Sequence, residues 1–219
     1  MGSITRSFAN NITTSGVLLP ASLVNNSIAN VTSYNAAVAT GGMVLISSQT
    51  ASASASISFT TGIDSTYKEY QFYFININPA SSSIFTFNMS IDSGSNYNVT
   101  KTSTFITSLH RENGAIAQID YETGVDLAQS TAFQSLSRTV SADADSGLSG
   151  SLTLFNPASS TYVKHFIGRT GYFSHDAPPF AEDSFMAGYG NTTSAINAVQ
   201  FKMSSGNIDE GTILMYGIV

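Results

Sequence analysis

Alternation with a period of two runs through most of this chain and leaves room for little but antiparallel sheet. Residues 51–59 read Ala-Ser-Ala-Ser-Ala-Ser-Ile-Ser-Phe, which predicts one strand with a serine face and an apolar face. Residues 84–91 place Phe85, Phe87, Met89 and Ile91 on one side and Thr86, Asn88 and Ser90 on the other. Tyr70 to Ile77 is apolar on both faces and reads as a central strand.

Further strands are expected at 98–109, 114–121, 148–155, 162–173, 195–203 and 211–219. Asn113-Gly114, Asn156-Pro157 and Ser205-Gly206-Asn207 supply turns between them. The pentapeptide Asn78-Pro79-Ala80-Ser81-Ser82 recurs as Asn156-Pro157-Ala158-Ser159-Ser160, a faint echo that equivalent turns of a Greek key would explain. One short helix is expected at about 126–136, where Leu127, Phe133 and Leu136 fit a helical spacing loosely. Many short strands and almost no helix point to an all-β fold, a jelly-roll-like antiparallel β-sandwich.

That sandwich is expected over residues 43–219, preceded by an extended N-terminal arm over 1–42. The arm carries Arg6, and no Lys, Arg, His, Asp or Glu then follows until Asp64. Its apolar residues Phe8, Ile12, Val17, Leu18, Leu19, Leu23, Ile28 and Val31 show no sustained period, and Gly41-Gly42 makes a hinge. Such a segment buries too little apolar area to order itself alone. Disordered tails are usually charged, and this one is neutral, so it reads as an arm that docks on a companion surface.

Charge narrows the function. Lys, Arg, Asp and Glu make up 10% of the chain and the net charge is −6. Ordinary soluble domains are roughly 25% charged. A weakly repelling coat of Ser, Thr and Asn suits a protein packed against copies of itself or a scaffold. Scattered cations in an acidic chain argue against nucleic acid, and the apolar runs are too short to span a bilayer. No Cys is present, which excludes thiol nucleophiles and thiolate metal sites. No secretory signal is visible, and Arg6 stands where a myristoylation motif wants Ser or Thr.

Constellations for catalysis are thin. The histidines are His110, His165 and His175, and no G-x-S-x-G surrounds a serine. His175-Asp176 with Glu182 or Asp183 could offer a metal ligand set in a surface loop, whose bland reading is a solvated turn. His165 alternates with Val163 and Ile167 and fits a core or a subunit interface. Asp120 and Glu122 share a strand face with Asp126 beyond, as a glycosidase pair might require, but the chain has no Trp to platform a sugar. Asp143-Ala144-Asp145 before Ser146-Gly147 has a faint calcium-loop look without the full spacing. Gly188-Tyr189-Gly190-Asn191 lacks the lysine and helix of a phosphate loop and reads as a turn. No catalytic residue, metal or cofactor is assigned. Tyr97, Tyr121 and Tyr189 stand near expected loops and are candidate contacts for a receptor or a sugar.

Residues Ile196 to Ile218 combine an alternating strand, a Ser-Gly-Asn turn and Gly211-Thr212-Ile213 followed by Tyr216-Gly217. This stretch resembles the closing hairpin of virion proteins from tailed phages, especially marine and cyanobacterial ones. Thr61 to Phe72 and the arm stretch Arg6 to Gly16 are similar to these proteins as well. The resemblance covers most of the chain from Val44 onward and carries no active residues over. It implies a non-enzymatic jelly-roll subunit on the exterior of a phage tail or capsid, often a homotrimer, held by its N-terminus to other virion proteins. A fibre or tail-associated subunit meeting a host-surface glycan is the leading expectation. A capsid decoration protein, a carbohydrate-binding module and a polysaccharide hydrolase are the alternatives.

Overall fold

The computed structural model of the chain describes residues 42–219. The arm residues Phe8 to Val31 lie outside the described residues. The strands run β1 (Met43–Thr50), β2 (Ile57–Phe59), β3 (Glu69–Pro79), β4 (Ser83–Ser90), β5 (Lys101–Arg111) and β6 (Ala117–Tyr121). They continue with β7 (Gln134–Val140), β8 (Leu148–Phe155), β9 (Lys164–Phe173), β10 (Phe180–Gly190), β11 (Ala198–Met203) and β12 (Ile208–Ile218). All pair antiparallel.

Two sheets result, one of eight strands ordered β1-β12-β3-β8-β9-β10-β5-β6 and one of four ordered β2-β11-β4-β7. Eight of these strands form a jelly roll: β1-β12-β3-β8 faces β2-β11-β4-β7, and the chain crosses between sheets at each successive step. The other four are two insertions. Strands β5 and β6 interrupt the passage from β4 to β7, and β9 and β10 interrupt that from β8 to β11. Both add to the large sheet beyond β8.

The core lies between the sheets and is built on rings. Phe201 of β11 sits 5.2 Å from both Phe72 and Phe74 and 5.9 Å from Phe85, centroid to centroid. Phe59 and Phe87 complete the set. Alternation produces this directly: Phe72 and Phe74 of β3 and Phe85 and Phe87 of β4 are every second residue, all buried. Edge-to-face packing of such rings adds about 0.5–1.5 kcal/mol per pair beyond burial.

Several expectations needed correction. Residues 51–59 are not one strand: β1 stops at Thr50, Ala53 takes a φ of 47°, and the chain crosses to the other sheet before β2. Alanine and serine side chains are too small for their alternation to hold a strand in place, and the larger Ile57 and Phe59 begin the new one. Thr86, Asn88 and Ser90 are buried, while Ile91 is exposed beyond the end of β4. The segments around 97 and 131 cover that side of β4, since Asn88 donates to the carbonyls of Tyr97 (2.7 Å) and Thr131 (3.0 Å).

Residues 126–136 form no helix. Ser130 exchanges backbone hydrogen bonds with Lys101, and the Leu127 carbonyl accepts from the Ser103 N–H while its own N–H donates to Ser103 Oγ, along the free end of β5; β7 begins at Gln134. Gly188 to Gly190 belong to β10 rather than to a turn. The two Asn-Pro-Ala-Ser-Ser copies are not equivalent. Pro79 is still paired with Ile208 at the end of β3, whereas Asn156 leaves β8 with a φ of 45°.

Phe201→Ala should cost about 3–5 kcal/mol, because five rings lose their common neighbour. Urea unfolding followed by tyrosine fluorescence measures this, and a loss under 1 kcal/mol would show that the ring cluster does not hold the sheets together.

Candidate interaction face

The four strands beyond the jelly roll bury polar side chains among Phe105, Leu109, Phe166, Phe180 and Met186 and leave several apolar ones exposed. Their inner rows bury Lys164 and Thr170 of β9, Glu182 and Ser184 of β10, and Lys101 and Thr107 of β5. Their outer rows expose Ile167 of β9, Phe185 of β10, Ile106 of β5, and Ile119 and Tyr121 of β6. Ile119 is 74% exposed and Ile167 55%.

The register brings these outer residues together. Phe185 lies opposite Ile106 on one side and Arg169 on the other, and Ile106 lies opposite Tyr121. Small residues separate the large ones: Ala187 opposite Ile167 and Thr104, and Ser108 opposite Ile119. Three shallow hollows open on this face. One lies around Ala117, Ser108 and Ala181, a second around Thr104, Ala187 and Tyr189, and a third around Ser149, Gly171 and Tyr73. On the jelly-roll half the same face exposes Met43, Leu45 and Ile75. Of the eleven exposed large apolar side chains among the described residues, eight stand on this one face.

Only one ion pair interrupts the outer rows of β5, β6, β9 and β10. Arg169 donates Nη2 to Asp183 Oδ2 at 2.7 Å and Nε to both carboxylate oxygens at 3.1 and 3.2 Å. Its guanidinium also lies 4.7 Å from the Phe185 ring centre. The carboxylate raises the pKa of Arg169 through hydrogen bonds and charge. The outer rows therefore carry no net charge from Lys, Arg, Asp or Glu.

Behind this face lies a polar layer. The Nη1 of Arg138 on β7 is 3.3 Å from one oxygen each of Glu122 and Glu182. Thr107 donates to Glu122 at 3.0 Å, and the backbone N–H of Arg138 donates to the Tyr172 hydroxyl at 2.7 Å. Burial pushes the Glu182 carboxyl above its usual range, and Asp176 and Glu122 push it further. Tyr172 is likewise raised by burial, with Glu182 adding to the effect.

Two lysines are fully buried in the same layer, and both lie opposite Gly190. Lys101 donates to Asn88 Oδ1 at 2.5 Å and to the Val99 carbonyl at 2.7 Å. Lys164 donates to the carbonyls of Ser159, Tyr162 and Thr192 at 2.7, 2.6 and 3.3 Å. Burial away from water brings Lys101 down to about 7 and lowers Lys164.

The residues singled out from sequence separate into different places. Tyr121 and Tyr189 share the outer face, and Tyr121 donates to Asp126 at 2.7 Å. Tyr189 lies beside His165, ring centres 6.2 Å apart, at the rim of an amide ladder. There Asn191 donates to Gln129 at 2.9 Å, and Gln129 donates to Thr102 at 2.7 Å. Tyr97 lies apart from them, in the segment between β4 and β5, with its hydroxyl against Gly94.

Asp120 and Glu122 do share a side, but Asp126 accepts from Tyr121 and Glu122 is held by Thr107 and Arg138. Neither Glu182 nor Asp183 joins His175 and Asp176 in a metal-holding group. At the Asp143 turn, the Asn78 amide donates to the carbonyls of Asp143 and Ser146 at 2.9 and 2.8 Å, and Ser141 donates to the Asp143 carboxylate. Among the described residues no group of three or more His, Asp or Glu is placed to hold a metal ion.

Sequence reading missed Ile119, Phe185, Arg169 and the two lysines, and took Glu182 for a loop residue rather than a buried one. In β10 neither alternate row is cleanly apolar, so the period of two gave no inward direction. Lysine buried on carbonyl oxygens leaves no trace in spacing at all.

Lys101 sets a pH dependence. Folded, it loses its proton near pH 7, and unfolded it keeps it to about 10.5. Between those values the unfolded chain binds more protons, so stability rises with pH. Lys101→Met should be more stable than the parent at pH 6.5 and should flatten the rise between pH 7 and 9.5, Lys164 supplying what remains. Urea midpoints across that range measure it, and an unchanged slope would refute the assignment to Lys101.

The polar layer makes a second prediction. Glu182→Gln removes a buried charge while leaving Glu122 to pair with Arg138. It should raise the melting temperature at pH 7, with the gain shrinking as the pH falls and the native carboxyl takes up its proton. Melting curves at pH 7 and pH 5 test this, and a lower melting temperature at pH 7 would show that the ionised Glu182 is stabilising.

Comparison with protein-family models, curated proteins and solved structures returns no match for this chain.

Proposed function

We propose that this protein is a structural subunit of a phage virion, a tail fibre or tail-associated component. Residues 1–42 dock it on the particle, and the sandwich faces outward toward the host surface. Its role is assembly and contact rather than catalysis.

The observation that supports this reading best is the exposed side of the eight-stranded sheet. A jelly roll needs four strands in that sheet, and the chain doubles the number. The added surface is apolar and without net charge, on a chain with few charges anywhere. Surfaces of this kind mark contacts with other macromolecules. Jelly rolls are a recurrent architecture of viral coats, in keeping with the phage resemblance of residues 61–72 and 196–218.

Removing residues 1–42 should leave a folded sandwich that no longer enters particles. Quantitative mass spectrometry of purified particles complemented with full-length or truncated protein measures incorporation, and circular dichroism confirms the fold. Wild-type incorporation of the truncated chain would overturn the docking role. Absence of the full-length protein from particles would overturn the virion reading as a whole.

A further inference from the structure

We infer that the outer face of the eight-stranded sheet, centred on β5, β6, β9 and β10, is the contact between copies of this chain. The inference goes beyond the virion reading, because it holds equally for an oligomer free of any particle.

The case begins with pairs in which the polar residue is buried and its apolar neighbour exposed. Ile106 is exposed while its neighbour Thr107 is buried, and Phe185 is exposed while Ser184 is buried. Placing the larger apolar residue of each pair partly in water forgoes some of its burial. A covering surface restores that burial.

Charge identifies the cover. The chain carries −6, so two copies repel unless they meet where that charge is absent. The outer rows of the four strands carry one cation and one carboxylate, bonded to each other. A basic partner or a polyanion finds no unpaired counter-charge among them. A second copy brings the same neutral surface, with Ile119 and Ile167 protruding beside the hollows at Ala117 and Ala187.

Area agrees. Eight strands about 4.8 Å apart, averaging about nine residues at about 3.3 Å each, present roughly 1,100 Å². A stable protein contact needs about 800 Å² from each partner. The face is large enough for a single specific contact, and the extension alone falls somewhat short, so the contact reaches onto the jelly-roll half.

Sedimentation of the full-length chain tests the proposal directly. The wild type should sediment as a multiple of 23.1 kDa at micromolar concentration. Ile119→Glu with Ile167→Glu should shift it to the single-chain mass with circular dichroism unchanged. Because the chain has no cysteine, Ala187→Cys gives a unique thiol at the centre of the face without adding charge. Its maleimide labelling should be slow when concentrated and at least tenfold faster on dilution below the dissociation constant. Glutamate variants that keep the wild-type mass, or thiol labelling that does not vary with concentration, would overturn the inference. A single-chain mass together with a protected thiol would give the face to another segment of the same chain, which also overturns it. If the glutamate variants misfold, the thiol variant decides alone. Single-chain protein that still enters particles would sink this inference and leave the virion reading standing.

Discussion

A sheet of eight strands faced by a sheet of four leaves half of its inner surface without a partner sheet. Everything unusual in the molecule follows from how that half is covered. The jelly-roll half is closed by rings from both sheets, with Phe201 at their centre. The other half is closed by the edge strand β7, by Phe87 of β4 against Phe166, and by the segments around 97, 127–131, 159–162 and 192. Those segments present backbone carbonyls and N–H groups, which must be paired once water is excluded. The inner rows of β5, β9 and β10 therefore set hydroxyls, a carboxylate and two ammonium groups among Phe105, Leu109, Phe166, Phe180 and Met186.

The cost of this solution is stored charge. Lys101 and Lys164 end on carbonyl and amide oxygens, and Arg138 serves two glutamates at once. Ionised groups in such settings are expensive to bury, and carbonyl oxygens offset only part of that expense. Gly190 lies between the two lysines on the sheet, with Met89 and Val99 filling the space a side chain would take. The extension therefore holds the buried charges through which stability responds to pH near neutrality.

Much of the jelly roll was legible in the residues. Strands β3, β4, β8, β11 and β12 show up because their inward residues are large and their turns carry Gly, Asn or Pro. The segment 148–155 was read to the residue. Where the reading failed, side-chain size or tertiary cover had taken over. Ala51 to Ser56 alternates perfectly yet is a crossing, since methyl groups anchor nothing. Asp126 to Phe133 spends its backbone bonds on β5, a partner more than twenty residues away in sequence, which no local pattern reveals. Strand β10 was hidden because it is mixed inside and out. The candidate face was invisible for the same reason, since it exists only when four separate strands are set side by side. Tyr121 and Tyr189 were singled out from sequence and stand on that face, and Tyr97 stands away from it.

The two inserted hairpins enter at connections, the passage from β4 to β7 and that from β8 to β11. Neither interrupts a strand of the jelly roll. Relatives of this chain can therefore lengthen, shorten or exchange these hairpins while keeping the Phe201 cluster intact, much as antibody loops vary on a constant framework. The added surface and the ring cluster are thus separable in the chain: the outer rows can change without disturbing the packing that joins the two sheets.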